Sequence, residues 1–339
     1  MYRQRLRNHS HHKKRFASVM IHGLVILISS VFFCGCSFLQ IHTDSLHRTL
    51  HSAGVTSKMV SLSSGSMKVW EGGKGQAVLF LHGFGANAPD TWTKQLQTFA
   101  KTYHVIAPDL YWFGQSKPSS KDSMITPRQQ AKALVELLKR LRIQKAHVVG
   151  VSFGGYVALE LAMRSPQQVK KLVLVDAAGL KPTTGELKTI QRNFAYSKGD
   201  LQKILIPKDT QTLKKFFGKL FYKVPWIPNF VFQEMLHAKY WRYKAVKQQM
   251  VHHLHTHYLS TESLASIGHT TLVVWGQHDK LLLPSLGQRI VRTMPHATWF
   301  PIEKAGHIPM MEQPTIFNKR VHQFLKNQPL QTALALPKR

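Results

Sequence analysis

The sequence predicts an α/β protein: a mostly parallel sheet with helices on both faces and a helical insertion late in the chain. Three observations carry this expectation. Short continuous apolar runs recur between turn residues, at Ala77 to Leu81, His104 to Ala107, His147 to Val151, Leu172 to Val175 and Thr271 to Trp275. Helical patterns separate them. Between about Leu180 and Gly268 this rhythm stops. Apolar runs without alternation belong to strands buried on both faces, which is how parallel sheets are built.

Lys58 to Glu71 alternates and breaks at Ser64-Gly65-Ser66, so a β-hairpin is expected ahead of the parallel part. Helices are expected at Pro127 to Arg140, Gly155 to Arg164, Ser285 to Met294 and Pro314 to Leu325. No solenoid repeat is visible. The expected organisation is a leader over 1–35, a polar tether over 36–57, and a core over 58–179. A helical cap over 180–268, a second core part over 269–328 and a tail over 329–339 complete it.

The leader reads as an address. Met1 to Ser18 holds Arg3, Arg5, Arg7, Lys13, Lys14 and Arg15 with no acid, and Val19 to Phe33 is an apolar run of fifteen residues broken by His22. That is shorter than the roughly 20 residues of a spanning helix, and it fits an export signal. Phe33-Cys34-Gly35-Cys36-Ser37 resembles the bacterial lipobox, which implies lipidation at Cys36. The alternative is an uncleaved anchor with its basic end in the cytoplasm. Either arrangement tethers the domain outside the cytoplasm. Both Cys lie at this site, so neither a disulfide nor a thiol nucleophile is expected in the mature chain.

The strongest chemical signal is Gly150-Val151-Ser152-Phe153-Gly154-Gly155, which follows an apolar run and opens a helical pattern. A nucleophile must project from a sharp turn, and small residues on either side let strand and helix close up behind it. His82-Gly83-Phe84-Gly85 follows the run ending at Leu81; Gly276-Gln277-His278-Asp279 ends a strand; and Gly306-His307-Ile308-Pro309 precedes the last helix. On these motifs the chain from about Lys58 to Gln328 resembles the α/β-hydrolase fold family.

The resemblance implies Ser152 as nucleophile, His307 as general base and Asp279 as the acid that orients it, with Asp176 as the rival acid. It implies an oxyanion hole from the backbone N–H groups of Phe84 and Phe153, while His82 holds its loop. Asp109 to Ser116 resembles the family's D-x-x-G-x-G-x-S loop, with Trp112 where Gly is usual. The loop is expected to be a structural turn; lying near the pocket, Trp112 would narrow it.

The expected cap is rich in aromatics: Phe216, Phe217, Phe221, Tyr222, Trp226, Phe230, Phe232, Tyr240, Trp241 and Tyr243. Interleaved with lysines, they suggest a lid facing a lipid interface. His252, His253, His255 and His257 have only Glu262 as a nearby carboxylate, so no metal site is expected, and no cofactor.

The chain has 46 Lys and Arg against 16 Asp and Glu, a net charge of +30. Six of those charges sit in the leader, leaving +24 on the rest. No nucleic-acid module is present, so nucleic acid is not the expected partner. Anionic lipid is the better match for the charge. The expected function is serine hydrolysis of carboxylic esters of apolar acyl chains, as in a lipase or esterase for mono- or triacylglycerols. A carbon–carbon bond hydrolase with the same triad and a non-catalytic binding protein on the same fold are the alternatives.

Overall fold

A computed structural model describes residues 37–120, 123–194 and 201–329. Cys36, the leader and nearly all of the tail lie outside the described residues. Two compact units divide the chain at Asp44, and everything below concerns the larger, Ser45 onward, except the start of the first helix.

The described elements begin with α1 (Phe38–Ser52), β1 (Val55–Leu62), β2 (Gly65–Gly72), β3 (Ala77–Leu81), α2 (Ala88–Phe99), β4 (His104–Pro108) and β5 (Lys117–Pro118). Next come α3 (Pro127–Arg140), β6 (Ala146–Val151), α4 (Phe153–Arg164) and β7 (Val169–Val175). The insertion holds α5 (Thr184–Phe194), α6 (Leu201–Leu205), α7 (Thr210–Leu220), α8 (Asn229–Met235), a π-helical stretch (Leu236–Trp241), α9 (Lys244–Thr256) and α10 (Thr261–Ala265). The chain then returns through β8 (Thr271–Gly276), α11 (Pro284–Thr293), β9 (Ala297–Ile302), α12 (Pro309–Glu312) and α13 (Pro314–Leu325).

The strands form one sheet in the order β1-β2-β4-β3-β6-β7-β8-β9, with β5 on β2. β1, β2 and β4 pair antiparallel; β3, β4, β6, β7, β8 and β9 pair parallel. Strand residues alternate between two cores, as the period of two requires. Leu79 and Leu81 face one core with Leu134, Leu137 and Val157 from α3 and α4. Val78 and Phe80 face the other with Trp92, Leu96, Phe317 and Val321 from α2 and α13. Leu272 and Val274 divide from Val273 and Trp275 in the same way.

Three local differences from the sequence reading have physical causes. The tether over 36–57 is not a tether: residues 38–52 are helical and β1 starts at Val55. Polar His, Thr and Ser hide the apolar stripe of α1. The tertiary structure supplies what that stripe needs, because Leu50 is fully buried in the core under α2 and His47 packs its ring 4.6 Å from that of Trp70. The hairpin turns at Ser63 and Ser64, with Leu62 opposite Gly65. β9 was unread because Pro301 interrupts it; as the last strand in the sheet order it tolerates a residue without an N–H.

Leu50→Ala tests the corrected start of the domain. A fully buried Leu at a true core position loses about 2–4 kcal/mol on truncation, read as a lower urea midpoint. A tether residue would leave the midpoint unchanged.

Candidate active site

β6 delivers Ser152 at the carboxyl edge of the sheet, and the chain reverses there into α4. Ser152 has φ 52° and ψ −117°, a conformation L residues rarely adopt. Its backbone is tied on two sides: its N–H donates to the Val175 carbonyl at 2.9 Å, and its carbonyl accepts from Ala178 N–H at 3.0 Å. The turn also needs missing side chains. A Cβ on Gly150 would sit 2.3 Å from the Gly154 carbonyl oxygen, and one on Gly154 would sit 2.4 Å from that of Leu81. The Gly83 backbone passes close enough that a Cβ there would touch the Ser152 Cβ at 3.4 Å. The loop after β3 and the elbow after β6 are therefore in contact. Phe153 opens α4, so its N–H belongs to the helix terminus, where no intrahelical carbonyl can accept it.

His307 and Asp279 meet although 28 residues separate them. His307 Nδ1 lies 2.7 Å from Asp279 Oδ2, and both residues are buried. Asp279 Oδ1 accepts the N–H groups of Leu281 and Leu282 at 2.8 and 3.0 Å. A carboxylate with its oxygens so occupied fixes the ring by accepting from Nδ1–H, which leaves Nε2 as the basic nitrogen. The His307 loop is fixed as well. His307 N–H donates to Leu220 O at 2.7 Å, and Gly306 N–H donates to Glu312 Oε2 at 2.6 Å. A Cβ on Gly306 would lie 2.4 Å from Leu220 O, so the Gly before His307 makes that close approach possible.

Asp176 joins this group from the end of β7. It is fully buried, with φ 41°, and its Oδ1 accepts Gly276 N–H at 3.0 Å. Burial, and then the Asp279 carboxylate beside it, push its carboxyl well above the usual range. A protonated Asp176 presents an O–H to Asp279 instead of a second charge. Carboxyl and imidazole atoms of Asp176, Asp279 and His307 lie within 4.8 Å of one another, the spacing of a metal group. The chemistry disagrees: a cation needs deprotonated donors, whereas one carboxyl here favours its neutral form and His307 Nδ1 is engaged by Asp279.

His82 stands apart from this cluster. It is fully buried; its Nε2 accepts Leu110 N–H at 2.9 Å and its Nδ1 donates to the Gly83 carbonyl at 2.8 Å. That bonding requires a neutral ring, and burial pushes its pKa down to about 4. The Asp109 loop is likewise an internal brace. Asp109 accepts Ala88 N–H and Gln115 N–H at 2.9 and 3.1 Å, and its carbonyl accepts the Ser116 hydroxyl at 2.6 Å. A Cβ on Gly114 would overlap the Asp109 carboxylate at 1.9 Å.

Beside Ser152 lies a cavity walled mainly by aliphatic side chains. Phe84, Ser152 and Phe153 form one part. Leu187, Ile190, Ile204, Leu205, Leu254, His255 and Tyr258 come from the insertion, and Leu281, Leu282 and Leu286 from the segment after β8. One expectation changes here. Trp112 is not among the lining residues; it is buried with φ 73°, donates to Ser123 O at 2.8 Å and meets the Tyr243 ring edge-on at 5.2 Å. Of the ten cap aromatics named above, none is among the described residues that line the wall. Phe216, Phe232 and Tyr240 pack with Leu213 and Leu236 into a core of their own. Composition showed that apolar residues were abundant, but only the helix orientations decide which of them line the cavity.

Sequence reasoning also missed Glu312. Its Oε1 accepts Tyr222 N–H and Lys223 N–H at 2.8 and 3.2 Å, while Oε2 holds Gly306. The available signal was charge: Glu303 and Glu312 are the only acids after Asp279.

A profile of the alpha/beta hydrolase fold family matches residues 76–314. The chain belongs to the α/β-hydrolase family. Among the hydrolase's relatives, Lipase 1 of Psychrobacter immobilis is 32% identical over 268 residues, covering 75% of this chain and 79% of that protein. The 2-hydroxy-6-oxo-6-phenylhexa-2,4-dienoate hydrolase of Burkholderia cepacia is 27% identical, covering 81% of this chain and 98% of that one. A crystal structure of a bacterial membrane phospholipase A shares the fold with a TM-score of 0.75, at 24% identity over 93% of this chain and 98% of that one.

The His82 geometry predicts a specific acid sensitivity. The folded pKa lies below the unfolded value, so the unfolded chain takes up the proton first. The contribution is intact above about pH 6.5 and is lost as the pH falls toward 4, amounting to about 3 kcal/mol at most. Asp109, raised to about 6 by burial, works in the opposite direction. The difference between wild type and His82→Gln in thermal midpoint across pH 7 to 4 isolates the His82 contribution. The variant should lose less stability on acidification.

Proposed function

We propose that this hydrolase cleaves carboxylic esters of apolar acyl groups through an acyl-enzyme at Ser152. The observation that carries the reading is the buried 2.7 Å contact of His307 Nδ1 with Asp279, together with Ser152 on the wall of an aliphatic cavity. In this mechanism His307 Nε2 removes the Ser152 hydroxyl proton as Oγ attacks the ester carbonyl. The imidazolium is stabilised by Asp279. Charge developing on the carbonyl oxygen is received by the backbone N–H groups of Phe84 and Phe153, with the start of α4 adding its dipole. His307 then gives the proton to the leaving alkoxide. Water, activated by the same nitrogen, releases the acid and restores Ser152.

The relatives support hydrolysis and leave two chemistries to weigh. The Psychrobacter relative is a lipase; the Burkholderia relative acts on a hydroxy-oxo-dienoate. A dienoate carries a carboxylate, which a buried site would answer with a cation. Among the described residues the cavity is lined by neither Lys nor Arg, and its polar side chains there are Ser152, Gln191, His255 and Tyr258. An uncharged acyl chain is the better match. The leader and Cys36 support a tethered, extracytoplasmic enzyme, by lipidation or by an uncleaved anchor. Among the described residues no helix is long and apolar enough to cross a membrane.

A fluorophosphonate probe should label wild type, and Ser152→Ala should abolish labelling. Asp279→Asn should lower kcat/KM for a p-nitrophenyl ester by about 10⁴-fold, because an amide can present its N–H to Nδ1, favouring the wrong tautomer, and brings no charge to offset the imidazolium. Asp176→Asn retains a neutral group and the carbonyl that accepts from Gly276, so it should stay within about tenfold of wild type. The reverse ranking would make Asp176 the acid. Ile190→Trp should depress turnover of long acyl chains more than short ones, read across a chain-length series.

A further inference from the structure

From the end of α7 into the first turn of α8 the chain leaves apolar side chains in solvent. Trp226 is 88% exposed, and Tyr222, Val224 and Phe230 are 46%, 44% and 47% exposed. Pro225 and Pro228 flank the tip and restrict its backbone, so Trp226 is held outward by a stiff segment. The root is firmly tied. Leu220 O accepts His307 N–H, Glu312 accepts the N–H groups of Tyr222 and Lys223, and the Tyr222 and His278 rings lie 4.5 Å apart. Residues 214–230 carry Lys214, Lys215, Lys219 and Lys223 and no acid.

We propose that residues 221–230 are a docking surface for an anionic phospholipid bilayer, with Trp226 entering the headgroup region. Aromatic side chains among lysines match that environment: the rings take the apolar boundary while ammonium groups meet lipid phosphates. The patch is small. Four partly bared side chains expose on the order of 400 Å², against roughly 800 Å² per partner in a stable protein interface. A bilayer surface asks for no such area, and the charge matches it. The root hydrogen bonds also connect this surface to the loop that carries His307. The proposal stands on exposure and charge and does not depend on the ester reading.

The test uses the full chain carrying Ser152→Ala, so that vesicle lipids are not turned over. Any leader or lipid would hold the chain on vesicles regardless, so the readout must be local to Trp226. Tryptophan emission is compared between this protein and its Trp226→Phe derivative; the difference isolates Trp226 from the other six tryptophans. Vesicles contain phosphatidylcholine alone or with phosphatidylglycerol, each with and without brominated acyl chains. The Trp226 component should be blue-shifted and quenched by brominated lipid on phosphatidylglycerol vesicles, severalfold more than on phosphatidylcholine. Combined Lys219→Glu and Lys223→Glu should remove that preference, with an unchanged far-ultraviolet spectrum showing that the chain is folded. Unquenched Trp226 emission on vesicle-bound chain would overturn the proposal. So would a blue shift without lipid that grows with protein concentration, since a second copy would then cover the patch. Absence of fluorophosphonate labelling in wild type would overturn the ester reading and leave this result standing.

Discussion

The backbone reversal at Ser152 is the constraint around which the rest is arranged. A serine at φ 52° sits in a region that costs of order 1–3 kcal/mol, and it persists only when its surroundings fix it. Here β7 holds its N–H through Val175, Ala178 holds its carbonyl, and α4 packs so tightly behind it that Gly150 and Gly154 admit no Cβ. A parallel sheet suits this task. Its central strands are buried on both faces, so β6 ends against a rigid frame and not in a mobile hairpin. Gly83 touches the same point from β3, which brings the Phe84 backbone beside the nucleophile without any contact near in sequence.

The base and its acid depend on that frame at one remove. β8 ends at Gly276, where a Cβ would collide with the Gly306 carbonyl at 1.8 Å, so the loops bearing Asp279 and His307 lie directly against each other. Two buried carboxyls then share the space behind the imidazole. The arrangement treats them differently: Asp279 accepts three N–H groups, whereas Asp176 accepts one and is pushed by burial and by Asp279 toward its neutral form. Glu312 closes the circuit by holding Gly306 and the base of the exposed segment with one carboxylate.

The insertion has two interiors. One is its own core of Leu213, Phe216, Phe232, Leu236 and Tyr240, which stabilises the cap; the other is the aliphatic wall facing Ser152. It also reaches the main body through ion pairing of Lys239 with Asp90, and through Lys247, buried with its ammonium 5.5 Å from the Phe113 ring. Burial pushes Lys247 down to about 8, the mark of an ammonium group held out of water by the cap contact. Phe113 in turn packs on Phe84 and Phe153, which connects cap position to the two residues nearest the nucleophile.

The sequence by itself determined the sheet-and-helix class, the insertion and the glycine-flanked turn at Ser152, because each rests on local chemistry. Apolar runs write buried strands, and glycines at fixed offsets write a tight turn. It could not separate Asp279 from Asp176, since both end strands and only the packed sheet gives one of them the hydrogen bond to the imidazole. It misread Phe38 to Ser52, whose helix is completed by Trp70 and the α2 core, and it placed Trp112 at the pocket when that ring packs on Tyr243. It listed the aromatics of the cap without sorting them. Tertiary packing buried Phe216 and Tyr240, gave the cavity to leucines and isoleucines, and left Trp226 in solvent. Which face a residue presents is set by neighbours far away in the chain, and local composition carries no record of them.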